Sequence, residues 1–221
     1  VTHSDRLSLL DGGHLNVRID GAEGAPWVVM SNSVLTDLSI WDAQIAPLTK
    51  RFRVLRYDQR GHGGSSLPEE PMNFADYGND LHLLLEDQGI KRCTFVGLSM
   101  GVPTGLAALA KAPERFAAFV AVDGVAKSAP GREAFWAERR ETARDKGMIE
   151  IAKTTVSRWL PGATDAMITS LQDMVAQTPV AGFAAATSAL ASYDHVEALR
   201  HLDGPFLGIA GAEDGAMPDA I

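Results

Sequence analysis

The 221-residue sequence contains a single cysteine, Cys93. That excludes a disulfide framework and makes the cytoplasm the expected setting. Cys93 stands in an apolar run and reads as a buried strand residue rather than a reactive thiol. Positive charge is in the minority, with 20 Lys and Arg against 28 Asp and Glu for a net charge of -8. Nucleic-acid binders need a basic face for phosphates, so no nucleic-acid partner is expected. Long apolar runs are missing too. The least charged stretch, 177–193, is broken by Pro and Gly and is too short and too weakly apolar to span a bilayer, so no membrane partner is expected. The first ten residues carry no signal-peptide pattern. No internal repeat or low-complexity segment appears.

What is present is ordinary globular material, 46% hydrophobic and 22% charged. The length allows one sizeable core and gives no strong case for two independent domains. Short apolar runs alternate with helical spacing. Residues 7–10 and 15–19 flank Asp11-Gly12-Gly13 and read as a hairpin. Strands are predicted over 27–30, 52–57, 93–96, 116–122 and 206–210, with helices over 37–50, 73–88, 100–111 and 195–201 between them. The runs buried on both faces and the strand–helix alternation imply a mostly parallel sheet with helices on both faces, the α/β class. Over 125–193 the strand signal stops, and helices broken at Gly147, Pro161-Gly162 and Pro179 follow. This stretch reads as a lid inserted after the sixth strand, over the carboxyl edge where ligands bind in such sheets. The expected division is a core over 1–124, the lid over 125–193, and the core resumed over 194–221.

Gly97-Leu98-Ser99-Met100-Gly101 matches G-x-S-x-G between a predicted strand and a predicted helix, the context of a nucleophile elbow. A sharp turn there thrusts the serine oxygen above the sheet. The helix that follows aims backbone N–H groups at a developing oxyanion. Ser99 is therefore the candidate nucleophile, and the Met100 amide one oxyanion donor. The second donor is sought in the loop after the third strand, Ser31 to Asp37, and the Val34 amide is nominated; Asn32 and Ser33 also suit turn and cap positions. The acid that orients the base belongs just past a later strand. Asp214 is the candidate, with Asp123 after the sixth strand as the alternative.

The sequence resembles the 3-oxoadipate enol-lactonases of the α/β-hydrolase superfamily. The resemblance rests on Ser31-Asn32-Ser33 with Thr36-Asp37-Leu38 and Trp41-Asp42, on Arg56-Tyr57-Asp58-Gln59-Arg60-Gly61-His62-Gly63 with Ser65, on the elbow, and on Ala112-Pro113-Glu114-Arg115. Trp136, Arg139, Gly147-Met148 and Arg158-Trp159 match in the lid, as do Ala210-Gly211, Asp214 and Pro218 near the end. Leu35 stands where the family usually has Gly, and Val102 replaces the Gly that commonly follows the elbow. The resemblance implies the α/β-hydrolase fold and hydrolysis of a small carboxylate-bearing enol-lactone through an acyl-enzyme, within aromatic catabolism (the β-ketoadipate pathway). It implies no metal and no organic cofactor. A lid that binds an anion should escape the chain's acidity, and 125–193 carries eight Lys and Arg against seven Asp and Glu. Arg132 and Arg139 are candidate substrate contacts, with Trp136 as a wall.

A hydroxyl nucleophile needs a base, and the fold's order is serine, acid, histidine. No histidine follows Asp214. His3, His14 and His82 read as terminal, strand and surface-helix residues, and His62 as structural. His195 or His201 would serve only with Asp123 as the acid. The closing helix, strand and helix of this fold are also missing, so the histidine is expected beyond Ile221 and the 221-residue form is expected to be inactive or nearly so. Two other readings stay open: a carboxylesterase or perhydrolase of the same fold, and a catalytically silent binding protein. Nothing in the sequence fixes an oligomeric state.

Overall fold

A computed structural model describes residues 2–69, 71–214 and 219. Seven strands form one sheet in the order β1-β2-β4-β3-β5-β6-β7. β1 (Thr2–Ser8) and β2 (His14–Asp20) make the antiparallel hairpin, and β2 pairs antiparallel with β4 (Arg53–Tyr57). β3 (Trp27–Ser31), β5 (Cys93–Leu98), β6 (Phe116–Val122) and β7 (Phe206–Ile209) join β4 in parallel. The chain leaves β3 toward one side to form β4 and returns to the other side to form β5. That reversal is a topological switch point at the carboxyl ends of β3 and β5, the place where open α/β sheets bind ligands.

Alternation along the strands divides the core. Val28, Met30 and Val54 face α1 (Asp42–Leu48) and Trp41. Val29, Leu55 and Phe95 face α2 (Phe74–Asp87) and α3 (Gly101–Lys111), which supply Leu81, Leu84, Leu85, Leu106 and Leu109. α2 begins in a capping box between Asn73 and Asp76, which satisfies two end donors reciprocally. The helical pattern over 37–50 resolves into a short 3-10 turn, Leu38–Trp41, capped by Asp37, and then α1. The stretch over 195–201 is likewise a 3-10 helix, Val196–His201.

Four helices lie between β6 and β7: α4 (Arg132–Lys146), α5 (Met148–Trp159), α6 (Asp165–Gln177) and α7 (Val180–Ala191). Their breaks fall at Gly147, Pro161-Gly162 and Pro179, where the sequence placed them. Their apolar faces form a second core with Val34, Leu35 and Met100 from the sheet's carboxyl edge. Among the described residues no single helix is long and apolar enough to cross a membrane; α6 and α7 pass only as a pair bent by 93°. Cys93 is buried, and burial pushes its thiol up to about 12.

One expectation is corrected. His82 is not on a surface: it is buried, and its ring bonds the Ala108 carbonyl at 2.9 Å, because α3 packs across that face of α2. His62 is also buried, and burial depresses its pKa to about 4. Between pH 6.5 and 4 the unfolded chain then binds a proton that the native state refuses. Stability is expected to fall as pH drops through this window, by of the order of 3 kcal/mol in total from His62, and to be unaffected by it above pH 6.5. Urea titrations from pH 7 to 4 check this. A His62→Asn variant should show a shallower fall, and an equally steep one would refute the assignment.

Candidate active site

Ser99 follows β5 directly and precedes α3 by one residue. Its φ is 51°, in the left-handed region that costs an L-residue about 1–2 kcal/mol. Its amide donates to Val122 O at 2.8 Å, and its carbonyl accepts from Val102 N at 2.9 Å. These bonds hold the strained residue between the end of β6 and the first turn of α3. Ser99 is partly exposed, whereas Met100 beside it is fully buried. The motif's glycines have a steric reason. A Cβ on Gly101 would lie 2.3 Å from the Ser31 carbonyl oxygen, and one on Gly97 would lie 2.6 Å from the Gly101 backbone. Only bare backbone lets strand, turn and helix cross this closely.

The loop after β3 meets this turn. Thr36 donates backbone N–H (3.3 Å) and hydroxyl (2.9 Å) to the Ser33 carbonyl, closing a turn through Val34 and Leu35. Leu35 has φ 69°. The position where the resembling family has Gly is therefore one where the backbone favours Gly, and burial of the Leu35 side chain offsets the strain. Among the described residues neither the Val34 nor the Met100 amide donates to a backbone acceptor outside regular helices and strands. Asp123, the third non-glycine residue with positive φ (41°), follows β6. Three strained residues thus stand at the carboxyl ends of β3, β5 and β6. Strain of this kind collects at functional sites, where surrounding structure imposes it.

Asp214 is exposed in the turn after β7, its amide bonded to Gly211 O at 3.0 Å. Asp123 reaches the same turn, accepting the Gly211 amide at 2.9 Å. Among the described residues no histidine ring hydrogen-bonds the Ser99 hydroxyl. His195 stacks on Tyr193 with centroids 6.1 Å apart and meets Phe74 edge-on at 6.0 Å; burial lowers its pKa. The Tyr193 hydroxyl in turn donates to Val125 O at 3.4 Å, three residues past the carbonyl that holds the elbow.

On α4, the Arg132 guanidinium lies 4.3 Å from the Phe135 ring centroid and 4.7 Å from that of Trp136. Arg139 lies 5.8 Å from the Phe135 centroid and donates to the Thr155 hydroxyl. Among the described residues neither guanidinium forms an ion pair. Both have pKa values lowered by burial first, and Arg158 pushes the same way for both. The result is a half-buried cationic cluster with no ion-paired carboxylate among the described residues, Glu138 acting on Arg139 only through space, and it is walled by buried Trp136. Two clefts lie elsewhere: one of about 350 Å³ between α4 and α7, and one of about 310 Å³ beside β2 and the 36–39 turn.

The run from Asp58 to Gly63 is held by tertiary contacts. Asp58 accepts the Leu38 amide at 2.6 Å, the Gly64 amide at 2.9 Å and the Asn16 amide group at 2.8 Å. Arg60 grips Asp80 of α2 through two nitrogens. Gln59 donates to Asn32 O at 2.9 Å.

Residues 26–147 match the family model described as the alpha/beta hydrolase fold. A 3-oxoadipate enol-lactonase of Acinetobacter baylyi is 36% identical over 204 residues, covering 90% of this chain and 76% of that enzyme. The structure of a hydrolase from Pseudomonas aeruginosa superposes with a TM-score of 0.88 at 35% identity, over 95% of this chain and 80% of that one. The enol-lactonase of Burkholderia xenovorans gives 0.87 at 33%, over 94% and 81%. Sheet order, elbow and these likenesses agree: the chain belongs to the α/β-hydrolase family, and it is a hydrolase similar along most of its length to 3-oxoadipate enol-lactonases.

Proposed function

We propose that the protein hydrolyses a small enol-lactone bearing a carboxylate. The observation that carries this reading is the partly exposed Ser99, held at φ 51° between β5 and α3. Ser99 Oγ attacks the lactone carbonyl, the two amides hold the resulting oxyanion, and the ring opens to an acyl-enzyme. Water then attacks the acyl carbonyl and releases the product. In the family's serine–acid–histidine order a histidine takes the Ser99 proton, and Asp214 orients it. The insertion acts as a lid. Arg132 and Arg139 meet the substrate carboxylate, and Trp136 walls the pocket. The substrate is a small molecule, and the cytoplasm is its setting. Two half-buried guanidiniums that form no ion pair among the described residues support an anionic lactone over a neutral ester.

Steady-state comparison of a carboxylate-bearing enol-lactone with a short neutral aryl ester tests this. Arg132→Met and Arg139→Met keep much of the packing and remove the charge. At least one is expected to raise KM for the lactone about 10- to 100-fold, the worth of a charge-assisted hydrogen bond. KM for the neutral ester should change less than about threefold. Equal effects on both substrates, or no preference for the lactone in the unsubstituted protein, would refute the carboxylate assignment.

A further inference from the structure

We propose that Gln59 is a positioning residue that sets the spacing between the two oxyanion amides. This inference rests on the functional reading above. The two amides belong to different parts of the chain: Val34 is in the turn after β3, and Met100 is at the head of α3. Backbone pairing fixes β3 against β5 only as far as the Ser31–Gly97 register, where both strands are ending. Past that point another connection is needed, and buried side chains supply it.

The Gln59 carboxamide lies between the two. Its Nε2 donates to the Asn32 carbonyl at 2.9 Å, and its Oε1 accepts from the Thr104 hydroxyl at 2.8 Å. The orientation is forced. A main-chain carbonyl only accepts, so the nitrogen of Gln59 must face Asn32 and its oxygen must face a donor, which Thr104 provides. The same Thr104 oxygen lies 3.1 Å from the Met100 carbonyl, so the hydroxyl is also seated against the turn that presents the second amide. On the other side, the Asn32 side-chain nitrogen donates to Thr36 O, which ties the far end of the Val34 turn back to the same residue. Asn32, Gln59 and Thr104 are each no more than 1% exposed. Away from solvent no water competes for these bonds, and losing one leaves an unsatisfied group.

A chain of two hydrogen bonds thus runs from the helix bearing one donor to the loop bearing the other, through a residue whose carboxamide bonds Asn32 and Thr104. Oxyanion donors act at about 2.7–3.1 Å from the developing charge, and misplacement by about 1 Å costs on the order of 10²-fold in rate. The charge exists in the transition state and not in bound substrate, so loosening the connection should lower kcat and spare KM.

Four variants test this in the active protein, beside Ser99→Ala as reference. Thr104→Val keeps shape and removes the hydroxyl; Gln59→Leu removes both of its bonds; Thr104→Ser restores the hydroxyl; the fourth joins Thr104→Val to Gln59→Leu. Gln59→Leu and Thr104→Val are each expected to lower kcat about 10- to 100-fold with KM within about threefold. Thr104→Ser should lie within about threefold of the unsubstituted protein, and the double variant should be no slower than Gln59→Leu alone. Should Gln59→Leu not fold, the Thr104 pair decides by itself. Unchanged kcat in Thr104→Val, equal losses in Thr104→Val and Thr104→Ser, or a loss appearing in KM would overturn the inference while Ser99→Ala remains inactive. Hydrolysis that survives Ser99→Ala would instead overturn the functional reading, and this inference with it.

Discussion

Replacing Ser99 with alanine is expected to lower kcat for lactone hydrolysis by about 10⁴- to 10⁶-fold while leaving KM within a few fold, because in the proposed mechanism the triad residues act as a unit and the Ser99 hydroxyl is the group that bonds to carbon. The backbone adds a second expectation. Alanine at φ 51° carries the same strain as serine, whereas glycine enters the left-handed region freely. Ser99→Gly should therefore be as inactive as Ser99→Ala yet more stable by about 1 kcal/mol, or roughly 2–4 °C in Tm for a chain of this size. Strain that persists at a partly exposed serine between a strand and a helix is what a nucleophile elbow requires. Steady-state rates and thermal melts of the two variants separate the chemical and conformational roles. Alanine melting with or above glycine would remove the strain argument, and hydrolysis retained by both would remove Ser99 from the mechanism.

The largest stability effect is expected at Arg60. Its guanidinium contacts both oxygens of Asp80, Nε at 2.8 Å, and the Asp80 side chain is 3% exposed. Burial raises the Asp80 pKa, and the Arg60 bonds work against that rise. Arg60→Met fills similar volume but strips a buried carboxylate of its cation, which costs about 3–5 kcal/mol, on the order of 10 °C in Tm. Part of the cost should return in Arg60→Met combined with Asp80→Asn, since the uncompensated charge is then gone. Asp11, the other partner of Arg60, has a half-exposed side chain, and Asp11→Asn should cost less than about 1 kcal/mol. Thermal or urea unfolding decides between these outcomes. A loss below about 1 kcal/mol in Arg60→Met would show that Asp80 is adequately solvated or otherwise neutralised.

Much of this architecture was legible before any coordinates. Period-two burial, the apolar strands over 27–30 and 93–96, and the helix breaks at Gly147, Pro161-Gly162 and Pro179 are local signals, and strands and helices obey them. The elbow was legible as five consecutive residues between a strand and a helix, and Gly97 answers the motif's own backbone at Gly101, although Gly101 answers the distant Ser31 carbonyl of β3. His82 shows the limit. A single helix shows its own apolar stripe, but which further face a neighbouring helix covers depends on α3, whose approach no short window encodes. The run from Asp58 to Gly63 shows it again. Its residues bind partners far off in sequence, among them Asn16, Asn32, Leu38 and Asp80, so their purpose emerges only when those segments converge.

By itself, then, the sequence determined the order of strands and helices, the class of sheet they build, and which serine a sharp turn would lift. These follow from residue periodicity and from the backbone freedom of a few glycines, both of which act over a handful of residues. Only the tertiary structure decided which side chains join Asn32 to Thr104, which histidines are buried, and that Arg132 and Arg139 form no ion pair among the described residues. Those outcomes depend on burial and on hydrogen bonds between segments dozens of residues apart, and burial is a property of the assembled chain.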